Sequence, residues 1–259
     1  MKLFGFLIIL TVYITTGTLA EPYVRNSYVF DQVWNEMAPY FLPDNSPEKE
    51  TLDKIFGSRR VLSSINSMNQ AGFRIVTDPD DKIVVAKHPY LKGYLLKVYL
   101  DNKDIPEWDC FRRRVKGSKV IQQAIDLHGY NHIMKVPKKW IYPLPAEPSP
   151  TKPGAFRKDF VLLVEEIDIL SYHKNRTAYK SKITPEILNA MYTMLTTYLL
   201  IDSVYSDNVP FCKDGRMAFV DTEYTGDTTR PVPLSAFGQY LSPGMLAIWE
   251  QLLVHGLPH

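Results

Sequence analysis

The sequence predicts an α+β fold in which a helical segment precedes a small antiparallel β unit and a part where helices predominate. Three observations carry this: apolar residues at helical spacing before Gly72, short β-rich runs separated by turn residues after it, and helical spacing again from Thr184. With 259 residues, 45% hydrophobic, 22% charged and 12% aromatic, the chain has an ordinary globular composition. A net charge of +2, drawn from 30 basic and 28 acidic residues, gives no clustered basic face, so nucleic acid is not an expected partner.

Val29, Val33 and Met37, then Leu52, Ile55, Val61, Leu62, Ile65 and Met68, mark helices across residues 28–70. Asn45-Ser46-Pro47 interrupts them, and Ser46 as N-cap, Pro47 in the first helical position and Glu48 in the first turn restart a helix. The runs Phe73–Val76, Ile83–Ala86 and Tyr94–Leu100, divided by Asp78-Pro79-Asp80-Asp81 and Pro89-Tyr90-Leu91-Lys92-Gly93, predict a three-stranded meander. A helix is expected at about 111–128 with Gly129 as its stop, followed by an extended piece through Tyr142. Five prolines within 143–154 resist regular structure and predict a loop or linker. Phe160–Val164 reads as a buried strand ending in Glu165-Glu166, and the polar stretch Ser171–Lys182 as a surface loop. Thr184-Pro185-Glu186 opens a helix expected to run through Leu188, Met191, Leu195 and Leu199 to Ile201. Val209–Cys212 and Met217–Val220 flank Asp214-Gly215, a hairpin signal.

Residues 1–20 read as a cleavable signal peptide: Lys2 precedes the apolar run Leu3–Ile14, and Thr18 and Ala20 occupy the small-residue positions before a cut. The mature chain from Glu21 is then expected to be secreted, with no stable membrane anchor. Export leaves open both a Cys110–Cys212 disulfide and two free thiols. It also makes Asn175-Arg176-Thr177 a glycosylation sequon, if the source glycosylates.

Tyr94-Leu95-Leu96-Lys97-Val98-Tyr99 resembles the strand that carries the nucleotide-gripping lysine of the protein-kinase-like fold. Asp207-Asn208-Val209-Pro210-Phe211 through Phe219-Val220-Asp221-Thr222-Glu223 resembles its catalytic loop, hairpin and metal-binding aspartate, with thirteen residues from Asn208 to Asp221 as in the kinase pattern. The resemblance, over about residues 72–224, implies a two-lobed architecture. A β lobe would span about 72–166 and a reduced helical lobe about 167–259. Residues 21–71, a helical extension, have no counterpart in the kinase pattern, and their position alone suggests a cap over the cleft. It implies ATP and Mg²⁺ as ligands: Lys97 on the phosphates, Asn208, Asp221 and Glu223 holding metal, Asp202 as base, and residues 160–166 beside the adenine.

The departures each remove a part that the chemistry uses. No Gly-x-Gly-x-x-Gly lies before Lys97, and no glutamate lies between Asp109 and Pro145 to pair with it; Gln122, Gln123 and Asp126 are poor substitutes. The base is expected at Ser203, one place after Asp202, and Asp-Phe-Gly becomes Asp221-Thr222-Glu223. Three readings follow. The favoured one is a secreted, pseudokinase-like protein that binds a nucleotide, metal or protein partner through a degenerate cleft. The others are an active divergent phosphotransferase using Mg-ATP, and a secreted interaction module without nucleotide.

Plainer roles compete at each residue. Lys97 fits the solvent side of a strand and Asp207-Asn208 fits a turn; Arg112-Arg113-Arg114 with Lys116 and Lys119 could meet a phosphate or an acidic partner but fits a solvated helix face better. The six histidines form no His-Glu-x-x-His, and there is no Gly-x-Ser-x-Gly elbow, which argues against a zinc or serine hydrolase.

Overall fold

The computed structural model describes residues 22–77, 82–150 and 153–257. The expected leader and the turn Asp78–Asp81 lie outside them. The N-terminal segment forms α1 (Asp31–Met37), α2 (Pro47–Ser58) and α3 (Ile65–Gln70), joined by short 3₁₀ turns. The α2 cap is the expected one: the Ser46 hydroxyl accepts the Lys49 amide at 3.2 Å and Pro47 takes the first position. Strands β1 (Arg74–Ile75), β2 (Val84–Lys87) and β3 (Tyr94–Val98) lead into α4 (Glu107–His128), which ends at Gly129 with φ +71°. β4 (Met134–Lys135), β5 (Lys139–Pro143) and β6 (Phe160–Glu165) follow. All neighbours in the five-stranded sheet, ordered β1-β2-β3-β6-β5, are antiparallel. The chain is therefore α+β, and no helix among the described residues is long and apolar enough to cross a membrane.

Strand alternation divides the sheet between two cores. Leu96, Val98, Val161 and Leu163 point to the face covered by Leu52, Phe56, Leu62 and Met68 of the N-terminal segment. Tyr99, Leu162 and Val164 point to the other face, where Phe111 and Val115 of α4 cover them. Each such buried side chain contributes roughly 1.5–3 kcal/mol. Lys97 has the parity of Tyr99 and so faces α4. The expectation that residues 21–71 cover the Lys97 side is thus corrected for α2 and α3, whose apolar stripes are spent on the opposite face; α1 packs beside α4.

The second half comprises α5 (Tyr172–Lys182), α6 (Pro185–Thr197), β7 (Met217–Ala218), α7 (Ser235–Gly238) and α8 (Pro243–His255). β7 pairs with β4 in parallel, and the expected hairpin is reduced to a single bridge, Phe211 with Met217, closed by Gly215 at φ +90°. Its core gathers Tyr179, Phe211, Phe237 and Trp249.

Residues 172–182 are helical rather than a loop, because Asn175, Ala178 and Tyr179 make a narrow buried stripe under an otherwise polar surface. Asn175 is 2% exposed; its amide donates to the Ser206 carbonyl at 3.0 Å and its oxygen accepts the Phe211 amide at 2.9 Å. A glycan on this nitrogen is incompatible with the folded packing. Asn175→Ala strands two buried backbone groups, so a loss of about 2–3 kcal/mol is expected. Urea denaturation measures it, and a loss below about 0.5 kcal/mol, the range of neutral surface changes, would contradict the packing role.

His88, 7% exposed, donates from Nε2 to the Ala71 carbonyl at 3.1 Å and accepts the Tyr90 amide on Nδ1 at 3.3 Å. Burial holds its pKa below the ordinary value, outweighing the Ala71 bond. A lowered histidine pKa means that the unfolded chain takes up the proton first as pH falls. Stability from this site is therefore complete above about pH 6.5, the unperturbed value, and declines below it. Thermal melts at stepped pH should show a decline that His88→Gln reduces; an unchanged profile in the variant counts against it.

Candidate functional site

The segment after β7 passes close to α4 at Gly117 and Thr222, which brings the Asp221 and Glu223 carboxylates to Arg113 and Arg114. Arg114 lies between them, Nη2 at 2.6 Å from Glu223 Oε2 and Nε at 3.5 Å from Asp221 Oδ1. Arg113 Nη2 takes the other Glu223 oxygen at 2.6 Å, while its Nη1 pairs with Asp109. Behind them Lys139, 4% exposed, donates to the Val220 carbonyl at 3.1 Å and to Thr222 Oγ1 at 2.7 Å. That hydroxyl in turn donates to the Arg114 carbonyl at 2.6 Å. Arg114 and Lys139 form a buried floor, while Lys97 and Asp221 keep some solvent exposure.

The electrostatics of the cluster follow from burial and a surplus of cations. Burial depresses the Lys97 ammonium, and Arg114 adds to this against the opposing pull of Asp221 and Glu223. Burial depresses Lys139 far more, with Lys97 next. Burial would raise the Asp221 carboxyl, but Arg114, Lys97 and Lys139 together hold it below its ordinary range. Among the described residues Lys97 makes no hydrogen bond or ion pair, and Arg114 Nε and Nη1 are buried without a hydrogen-bond acceptor.

Asp202 sits in the 3₁₀ turn Ile201–Val204, 3.7 Å from Arg230. Burial raises its carboxyl, Arg230 opposes, and Asp221 and Glu223 add to the rise. Asn208 donates its side-chain amide to the Asp202 carbonyl at 2.8 Å, and its own carbonyl accepts the Val220 amide at 2.9 Å. Lys97, Asp202, Asp221 and Glu223 thus fall within one electrostatic neighbourhood, with Asn208 bracing the Asp202 turn against the strand leading to Asp221.

These donors do not suit a divalent cation. Both oxygens of Glu223 accept guanidinium nitrogens, and Asp221 Oδ1 accepts the Glu223 amide at 3.2 Å beside Arg114. Cations already fill the space that a metal would take. Among the described residues no group of three or more His, Cys, Asp or Glu side chains is placed to hold a metal ion. Cys110 and Cys212 are both free thiols.

No family model matches the sequence, and no curated protein matches it. Among solved structures, one similar chain is Rv3197 of Mycobacterium tuberculosis, described in complex with erythromycin. It is 14% identical with a TM-score of 0.31, and the match covers 78% of this chain and 56% of that one. A TM-score this low does not identify a shared fold.

Lys139 is not singled out by the sequence, and Arg114 is singled out only within the basic run 112–119, although both carry a signal. Arg114 lies in phase with Phe111, Val115, Ser118 and Ile121, the buried stripe of α4, so a solvated face is the wrong environment for it. Lys139 alternates with Ile141, which is fully buried against α4, so its strand position is buried too.

Proposed function

We propose that this chain is a kinase-like protein, acting after export, that binds a nucleotide beside the cluster of Lys97, Arg114 and Asp221 and catalyses little or no phosphotransfer. The observation that carries the reading is that two residues more than 120 positions apart in sequence meet the same helix: Lys97 lies on the sheet face that α4 covers, and Arg114 of α4 lies 3.5 Å from Asp221, with Asn208 bracing the strand that leads there. The order β3-β6-β5, with α4 inserted after β3 and packed on the lysine face, supports kinase-like ancestry. Against turnover stand the occupied carboxylates of Asp221 and Glu223 and the Arg230 guanidinium beside Asp202. A base needs its carboxylate free toward the acceptor, and phosphoryl transfer needs the charge neutralised where it develops.

Thermal unfolding with ATP should show stabilisation approaching about 2.7 kcal/mol at a hundredfold excess over Kd. Phosphate release and transfer to a general acceptor protein should stay at the level of Asp221→Ala. Turnover that disappears in Asp221→Ala would establish the active alternative instead. No stabilisation by ATP under any ionic condition would overturn the nucleotide reading and favour an interaction module with a protein partner.

A further inference from the structure

We infer that Glu107 is a pH-operated latch: its carboxyl ties the start of α4 to the approach of β6, holds while it carries a proton and loosens when it ionises. Glu107 is the first residue of α4 and 4% exposed, and its Oε1 accepts the Asp159 amide at 2.8 Å. A second bond crosses the same joint, from Lys158 Nζ to the carbonyl of Ile105, just ahead of α4, at 2.7 Å. Arg113 and Arg114 stand about two turns further along the helix, so this joint holds the end that carries them.

The anion is poorly served here. A carboxylate taken out of water stays ionised only where donors and cations replace the lost hydration. Lys158, 2% exposed, spends its ammonium on Ile105 and comes no nearer to Glu107 Oε2 than 3.8 Å. The other charges packed around the joint are engaged. Asp159, which repels the anion, takes Arg157 Nε at 2.7 Å and the Asn26 amide at 2.8 Å. Asp101, which accepts the Lys158 amide, is held by Arg60 at 2.6 Å, while Glu36 of α1 and Asp109 of α4 pair with Arg112. Burial pushes the Glu107 carboxyl up to about 7, against the opposing pull of the Asp159 amide, Lys158 and its own amide. The open first turn of the helix pulls the same way as these donors. The value in an unfolded chain is about 4.3, so the folded joint holds the proton more tightly. Stability from this group is complete below the unfolded value and is lost as pH rises through the folded one, the opposite sense to His88.

Native-state hydrogen exchange of the full mature chain at about pH 6 and about pH 8, corrected for intrinsic rates, reads the latch. No nucleotide is added, so the outcome is separate from the nucleotide reading. Amides in the second turn of α4 and that of Asp159 should lose protection about tenfold between the two conditions, the linkage for a carboxyl that falls from about 7 to about 4.3 on opening. Glu107→Gln keeps an oxygen for the Asp159 amide and cannot ionise, so its protection should be equal in both. Protection in the unaltered chain that holds or rises toward high pH overturns the inference, because the anion is then the closing form. A loss that persists in Glu107→Gln overturns it as well, because another group is titrating. Should that variant not fold, the Glu107 carboxyl ¹³C resonance of the unaltered chain decides: a midpoint above about pH 6 upholds the latch and a lower one overturns it.

Discussion

Replacing Asp101 by alanine should cost about 3–5 kcal/mol of folding stability, the penalty for leaving a buried charge uncompensated. The Asp101 carboxylate, just after β3, receives Arg60 at two points, Nη2 at 2.6 Å and Nε at 2.9 Å, and the Lys158 amide at 3.3 Å. Arg60 also donates to the Lys158 carbonyl at 2.8 Å, and both side chains of the pair are under 10% exposed. The fork joins the N-terminal helical segment to the sheet and to the approach of β6. Without the carboxylate, Arg60 keeps one carbonyl and the Lys158 amide loses its acceptor. Arg60→Ala should be similarly costly. The double change Arg60→Met with Asp101→Leu should recover much of the loss, since apolar groups of similar volume often replace a buried pair without penalty. Urea denaturation reads all three. Single variants costing less than about 1 kcal/mol, the worth of an exposed pair, would mean that residues 22–71 are not an integral part of the β unit.

Much of this fold is legible because its boundaries follow local chemistry. Ser46-Pro47, Thr184-Pro185 and Gly129 each do at the helix ends what their residue types favour, and the meander strands lie within two residues of the apolar runs that predict them. The misreadings have physical causes. α6 stops at Thr197, not Ile201, because Leu199 adopts φ +50° at its exit, a conformation usually left to glycine, so the sequence carries no stop signal. α5 is hidden because one asparagine, one alanine and one tyrosine bury its inner face, leaving no run of aliphatic residues to mark the period.

The site is legible in its ends but not its middle. Lys97 and Asp221 stand out by motif, whereas their coupling through Arg114 depends on how close α4 comes to the segment 220–225, which is a tertiary fact. The missing helix glutamate shows in the sequence only as an absence; the arginine that reverses its sign, two turns from the helix start, reads with its neighbours as a solvated run.

The closeness of that approach rests on Gly117, where helix propensity and packing have opposite effects on an alanine. Alanine is favoured over glycine inside a helix by about 1 kcal/mol, so propensity alone predicts stabilisation. Packing predicts the reverse: a Cβ on Gly117 would collide with the Thr222 carbonyl oxygen and lie 2.7 Å from Thr225 Oγ1. The carbonyl cannot retreat, because the Thr222 hydroxyl donates to the Arg114 carbonyl at 2.6 Å and accepts from Lys139 at 2.7 Å. A collision with tethered backbone outweighs propensity, so Gly117→Ala should lose about 2 kcal/mol and Gly117→Val about 3 kcal/mol or more. The displaced helix carries Arg113 and Arg114 away from Asp221 and Glu223, and stabilisation by ATP should disappear with them. Gly57 is the control, on the surface of α2 with nothing within 4 Å of where an alanine methyl group would sit. Gly57→Ala should raise stability by about 0.5–1 kcal/mol and leave the ATP response unchanged. If both glycines respond alike to alanine, contact between α4 and the 220–225 segment is not what sets the geometry of the charged cluster.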